Sequence, residues 1–194
     1  MGDIYFNGHG VEKDYLRAIE FYEKSSKLND TNALNKLGDI YYNGYGIKQD
    51  FIKAKIQYEK SMMLNNSEAM FKLGELYFHG KGVKQDYLKA KEFYEKSSKF
   101  NNSDAINKLG DLYYYGNGVN QNYLIAKKYY EDSAKLSNVI AIFLLGNLYS
   151  DGDIFDIDLQ KAIDFFMKSI EIKSGVKKVY NPIDKSISEY FESN

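Results

Sequence analysis

Ser174 and Lys177 stand three residues apart. This is the spacing that pairs a serine nucleophile with a lysine in penicillin-recognising acyl transfer. That chemistry also needs a Ser-Asp-Asn or Lys-Thr-Gly element, and neither string occurs in the chain. With this much serine and lysine, one such pair is expected by chance. His9 and His79 could share a metal only if the fold joined them. They occupy different positions of a repeat, two repeats apart, and are read as loop-surface histidines. Gly44-Tyr45-Gly46 and its copies hold two glycines of a phosphate cradle. Such a cradle follows a strand and carries a further glycine or lysine at fixed spacing, whereas these loops follow helical patterns. No cysteine is present, so thiolate chemistry and disulfides are out. The sequence therefore offers no catalytic group, no metal site and no cofactor site, and the chain reads as a non-enzyme.

The elements that hold these residues recur every 36 residues. Gly2, Gly38, Gly74, Gly110 and Gly146 are in register, as are Tyr5, Tyr41, Tyr77, Tyr113 and Tyr149, and Ala18, Ala54, Ala90, Ala126 and Ala162. A period of this length marks a solenoid, whose units bury their apolar faces only by stacking. In the second unit, Ala33, Leu37 and Tyr41 fall at helical spacing and define a helix A. Gly38 lets a neighbouring helix approach closely, offsetting its helix cost of about 1 kcal/mol. Asn43-Gly44-Tyr45-Gly46 ends that helix. Asp50 then reads as the N-cap of a helix B with Phe51, Ala54, Tyr58, Ser61 and Leu64 on one face, ending near Asn65. Serines at Ser25, Ser61, Ser97, Ser133 and Ser169 share one register. They read as small packing residues that bond back to a helical carbonyl.

The string Ala-x-x-x-Leu-Gly-x-x-Tyr-x-x-Gly-x-Gly-Val/Ile-x-x-Asp-x-x-x-Ala resembles the Sel1-like repeat, a relative of the tetratricopeptide repeat. It stands complete as Ala69, Leu73, Gly74, Tyr77, Gly80, Gly82, Val83, Asp86 and Ala90, and again from Ala33 to Ala54. The copy from Ala105 to Ala126 has Asn122 for the aspartate. In the last copy Ile154 replaces the second glycine, so the loop Asp151 to Asp158 is expected to take another path. In the first, Met1 stands in the leucine position. The resemblance implies an all-α fold, a right-handed superhelix of helical hairpins over residues 1–175. Residues 176–194 would form an atypical capping helix or tail. It further implies an adaptor or scaffold role. A β-lactamase-like hydrolase, as described for cysteine-rich members, is one alternative. A repeat fragment of a larger regulatory protein is another, and its missing Ala-x-x-x-Leu helix would then lie upstream.

Helix A lines the concave groove of the related superhelix, and register carries three rows of this sequence onto it. They are Asn35, Phe71, Asn107 and Phe143; Asp3, Asp39, Glu75, Asp111 and Asn147; and Phe6, Tyr42, Phe78, Tyr114 and Ser150, of which Asn35, Asp39, Tyr42, Phe71, Glu75, Phe78, Asn107, Asp111 and Tyr114 are the expected contacts. Asparagine can pair with a peptide backbone. The acidic row would favour a lysine- or arginine-bearing protein or peptide. Its members read as solvated surface whose exchange for lysine leaves folding nearly intact. A net charge of -1 lacks the basic face that nucleic acid requires. No apolar run reaches membrane-spanning length and no signal peptide opens the sequence. A cytoplasmic monomer without membrane insertion is expected.

Overall fold

The computed structural model describes residues 1–152 and 154–174. Among them are ten helices and no strand: α1 Gly2–Asn7, α2 Tyr15–Ser26, α3 Thr31–Asn43, α4 Phe51–Met63, α5 Ser67–His79, α6 Tyr87–Ser98, α7 Ser103–Tyr115, α8 Tyr123–Lys135, α9 Val139–Ser150 and α10 Leu159–Ser174. Odd-numbered helices are the A helices and even-numbered ones the B helices. The expected tail lies outside the described residues. The chain divides into two compact units, Met1–Tyr129 and the part from Tyr130 onward.

Local chemistry explains each boundary. Asp50 and Asp86 accept from the backbone N–H of Lys53 and Lys89 and so cap α4 and α6. Asn122 does the same for Ile125, so the amide replaces the carboxylate without loss of the cap. The A helices carry caps that the sequence reading missed: Asp30, Asn66, Asn102 and Asn138, each accepting from the alanine three residues on. Their signal is the same 36-residue spacing. Helices α2, α4, α6 and α8 give way to a left-handed residue at Asn29, Asn65, Asn101 and Ser137. Leu64, expected on the same face of helix B, is the C-cap of α4 and is 40% exposed, unlike the buried Ala54, Tyr58 and Ser61. His79 is the last residue of α5 and lies outside the loop.

The first unit is a stack of helical hairpins. Ala54 and Tyr58 of α4 bury against Ala69, Leu73 and Leu76 of α5. One repeat later, Ala90 and Tyr94 of α6 bury against Ala105, Leu109 and Leu112 of α7. Gly74 makes this possible, because a Cβ there would lie 2.4 Å from Cε1 of Tyr94. Gly82 does a second job. Its φ is +69°, and its missing side chain leaves room for Cβ of Phe51 in the preceding hairpin, which would come within 2.6 Å. Every A–B loop closes with one backbone bond, such as Asp86 N–H to the Tyr77 carbonyl at 2.9 Å. Leu73, Ala90 and Tyr94 are fully buried, as the pattern requires, whereas Tyr77 is half-buried and stacks on Phe93 at 5.5 Å.

The second unit keeps the same logic in α9 and α10. Ala141, Ile142, Leu145, Leu148 and Ala162 are buried, and Tyr149 stacks on Phe165 at 5.7 Å. Without its second glycine the loop leaves α9 differently: the C-cap Asp151 is extended rather than left-handed. The closing bond from Asp158 N–H to the Tyr149 carbonyl survives at 2.8 Å.

Candidate partner-binding surface

The nine expected contacts all fall within the first compact unit, whereas Phe143, Asn147 and Ser150 of the same rows belong to the second. The acidic row has an internal task that the sequence did not reveal. Tyr58 donates to Oδ1 of Asp39 at 2.8 Å, and Tyr94 donates to Oε1 of Glu75. In the first repeat Tyr22 donates to Oδ1 of Asp3 at 2.7 Å. Each pair is 19 residues apart, linking an A helix to the following B helix. Burial pushes all three phenols above the ordinary value of 10.0, and the facing carboxylates push them further. A buried phenol needs an acceptor. Asp39 and Glu75 are therefore structural acceptors, and the expectation that lysine could replace them at little cost is corrected.

A lysine row runs beside these acids. Lys72 lies 3.9 Å from Asp39 and 3.5 Å from Glu68. Lys108 donates to Asp111 at 3.1 Å. His79 stands 3.6 Å from Glu75. The row of carboxylates is thus partly compensated, which weakens the field it presents to a partner.

In the first row, Asn35 donates through Nδ2 to Oδ1 of Asn66 at 2.9 Å, and that same oxygen caps α5. The amide ties one repeat to the next. The Oδ1 atoms of Asn35 and Asn107 are sealed from solvent with no hydrogen-bond partner among the described residues. Phe71 is half-buried against the Tyr94 ring at 5.9 Å. In the third row, Tyr42, Phe78 and Tyr114 meet Phe51, Tyr87 and Tyr123 edge-on at 5.3, 5.2 and 5.3 Å. Lys81 donates to the Tyr42 hydroxyl at 2.7 Å, and Lys108 lies over the Phe78 ring. These rings are half-buried.

The residues with possible chemistry are dispersed. Ser174 ends α10, and its hydroxyl bonds back to the Glu171 carbonyl at 3.4 Å. Lys177 lies outside the described residues. His9 is an exposed loop residue. Among the described residues no group of acids and histidines could hold a metal, and no helix is long and apolar enough to cross a membrane. The serine register is resolved differently from expectation. Ser61 and Ser97 donate across the hairpin to the carbonyls of Thr31 and Ser67, at 3.3 and 2.7 Å. Ser169 bonds back within its own helix, to the Phe166 carbonyl at 2.7 Å.

Comparison with known proteins agrees with this geometry. A family model described as the Sel1 repeat matches residues 1–30, 31–66, 67–99, 103–138 and 139–171. A Sel1 repeat protein from Oxalobacter formigenes is 30% identical, with a TM-score of 0.82 over 90% of this chain and 71% of that one. The c5321 protective antigen of uropathogenic Escherichia coli is 28% identical, with a TM-score of 0.73. The match covers 88% of this chain and 36% of that one. Helicobacter pylori cysteine rich protein B is 31% identical, with a TM-score of 0.54 over 71% of this chain and 99% of that one. No curated protein matches the chain.

Proposed function

The chain belongs to the Sel1 repeat family, and we propose that it is a non-catalytic adaptor that holds a protein or peptide segment along its helix-A rows. Sel1 repeat proteins generally mediate protein–protein interactions, which is the coarse basis of the reading. The observation that carries the finer one is the register itself. Asp39, Glu75 and Asp111 and Tyr42, Phe78 and Tyr114 recur on three successive A helices of one compact unit, beside Asn35, Phe71 and the buried Asn107. The half-buried rings offer contact area at low entropic cost. Asp39 and Glu75 each have further lone pairs beyond the one that accepts a phenol. A lysine or arginine of the partner would compete with Lys72 and Lys108 for them, so affinity should be modest and salt-sensitive. The proposal sets the protein in the cytoplasm as a monomer.

The test must remove charge without removing the tyrosine acceptor. Asp39→Asn, Glu75→Gln and Asp111→Asn together keep a carbonyl oxygen at each site. Binding of a panel of lysine-rich, neutral and acidic extended peptides is read by fluorescence anisotropy at low and high salt. The proposal requires that lysine-rich peptides bind best and that the triple variant, shown folded by circular dichroism, loses that preference. Equal binding by the variant would move the partner to another face.

A further inference from the structure

A regular row of uncovered apolar residues marks the starts of the B helices. Leu16, Ile52, Leu88 and Leu124 stand 36 residues apart in one compact unit and are 58%, 63%, 59% and 71% exposed. A single exposed leucine is ordinary, but four in one register form a surface. Two clefts lie where the A–B loops meet these helix starts. The first, of about 720 Å³, has Tyr41, Ile47, Lys48 and Lys53 among its lining. The second, of about 500 Å³, has Tyr77, Val83, Lys84 and Lys89 in the same places. Every residue lining the second stands 36 positions on from one lining the first.

The walls are fixed in advance, which lowers the entropic cost of docking. Asp50 N–H bonds to the Tyr41 carbonyl at 2.8 Å, and Asp86 N–H to the Tyr77 carbonyl at 2.9 Å. Gln49 and Gln85 donate to the carbonyls of Tyr42 and Phe78 at 2.7 and 2.8 Å. The lysines are no part of that frame. The next loop closes through the same two bonds, from Asn122 N–H to Tyr113 and from Gln121 to Tyr114, both at 2.8 Å. It does so with Asn120 and Ile125 in the lysine positions. Lys48 and Lys84 are exposed and make no ion pair among the described residues. Lys53 and Lys89 lie over the Tyr41 and Tyr77 rings at 5.4 and 5.3 Å. Against them each cleft sets one carboxylate, Asp50 or Asp86, which is committed to its helix cap. Both clefts are therefore basic.

The clefts differ at one wall. Leu16, Ile19 and Ile52 line the first, whereas Lys55 stands in the second at the place of Ile19 and is paired with Glu59 at 2.7 Å. We propose that the two clefts and the apolar row dock an extended acidic segment of a partner protein. An apolar side chain of the segment sits in the first cleft against Leu16 and Ile52, and a carboxylate meets Lys84 and Lys89 in the second. Charge complementarity selects the acidic partner. Recessed sockets repeated at one register suit separate side chains of a peptide, whereas a flat bilayer would leave them unfilled. The surface goes beyond the helix-A rows and shares no lining residue with them. Its preference is also opposite in sign, so the two sites are separable by charge.

The probe is a fluorescent peptide of repeated Glu-Leu-Asp-Gly units, flexible enough to find its own register, read by anisotropy against the 194-residue chain. Saturable binding is expected, weaker at high salt. It should be lost when the acids become Gln and Asn, or when the leucines become serine. In the protein, Lys48→Glu with Lys84→Glu should weaken binding by about tenfold or more, a loss of roughly 1.4 kcal/mol. Ile52→Asp should do the same. Lys60→Glu with Lys96→Glu makes an equal change of net charge at exposed positions of α4 and α6 that line neither cleft, and should leave affinity unchanged. So should Glu75→Gln, which separates this site from the helix-A rows. Circular dichroism checks that each variant is folded. Unsaturable binding, native affinity in the Lys48→Glu, Lys84→Glu variant, or an equal loss in the Lys60→Glu, Lys96→Glu variant would overturn the proposal. Sedimentation with phosphatidylserine and phosphatidylcholine vesicles, abolished by Ile52→Asp in the absence of peptide binding, would overturn it in favour of a membrane contact.

Discussion

Replacing Gly74 with alanine opposes two effects of known size. Alanine is the better helix former by about 1 kcal/mol, so a free helix would gain. Here the new Cβ would lie 2.4 Å from Cε1 and 2.6 Å from Cδ1 of Tyr94, against the roughly 3.5–4.0 Å of a relaxed carbon contact. The Tyr94 ring is fully buried, and its hydroxyl is held by Glu75. It can retreat only by parting the helices or by giving up that bond. Overpacking costs about 1–3 kcal/mol, and a hydrogen bond to a charged group contributes about 1.5–3 kcal/mol. With both costs incurred, the net loss after the propensity gain is about 1.5–5 kcal/mol. Urea unfolding followed by circular dichroism reads it as a lower midpoint. Gly10→Ala is the control, since nothing lies within 4 Å of its added Cβ and only the left-handed φ of +75° is penalised, at about 1–2 kcal/mol. In a Tyr94→Ala background the sign should reverse, and Gly74→Ala should stabilise by about 1 kcal/mol. A neutral or stabilising Gly74→Ala in the otherwise native chain would refute the account of the glycine register.

Glu75→Lys should cost about 1–3 kcal/mol by stranding the Tyr94 hydroxyl, while Glu75→Gln keeps an acceptor and should cost less than about half of that; equal losses in urea unfolding would dismiss the acceptor role. Alkaline pH should unfold the protein: with folded-state phenol values raised for Tyr22, Tyr58 and Tyr94, the unfolded chain loses protons first above pH 10, so stability is complete below that pH and falls as pH rises. Tyr58→Phe with Tyr94→Phe should flatten this slope in a pH series of unfolding midpoints, and an unchanged slope would assign it elsewhere. Amide exchange should be fastest in residues 1–10 of the described chain, because α1 is short and lacks a side-chain cap; protection there equal to that of α5 would contradict this.

The residue types alone determined the repeat. A glycine, tyrosine or alanine that returns every 36 residues can only mean a stacked unit, and helix period, Gly-x-Gly breaks and Asp50-type caps follow from local backbone chemistry. Those features depend on neighbours within one or two turns, so a linear reading reaches them. The partners of the acidic row did not follow. Asp39 and Glu75 look like solvated helix surface because a carboxylate on a helix usually is one. The phenol that each accepts comes from 19 residues away on another helix. The same holds for Ser61 and Ser97, whose acceptors lie 30 residues back, and for Asn35, whose acceptor lies 31 residues on. Their registers were visible in the sequence, but the direction in which each side chain points was set by how the hairpins pack. Local periodicity is written residue by residue, whereas a contact between helices exists only after burial has chosen which faces meet.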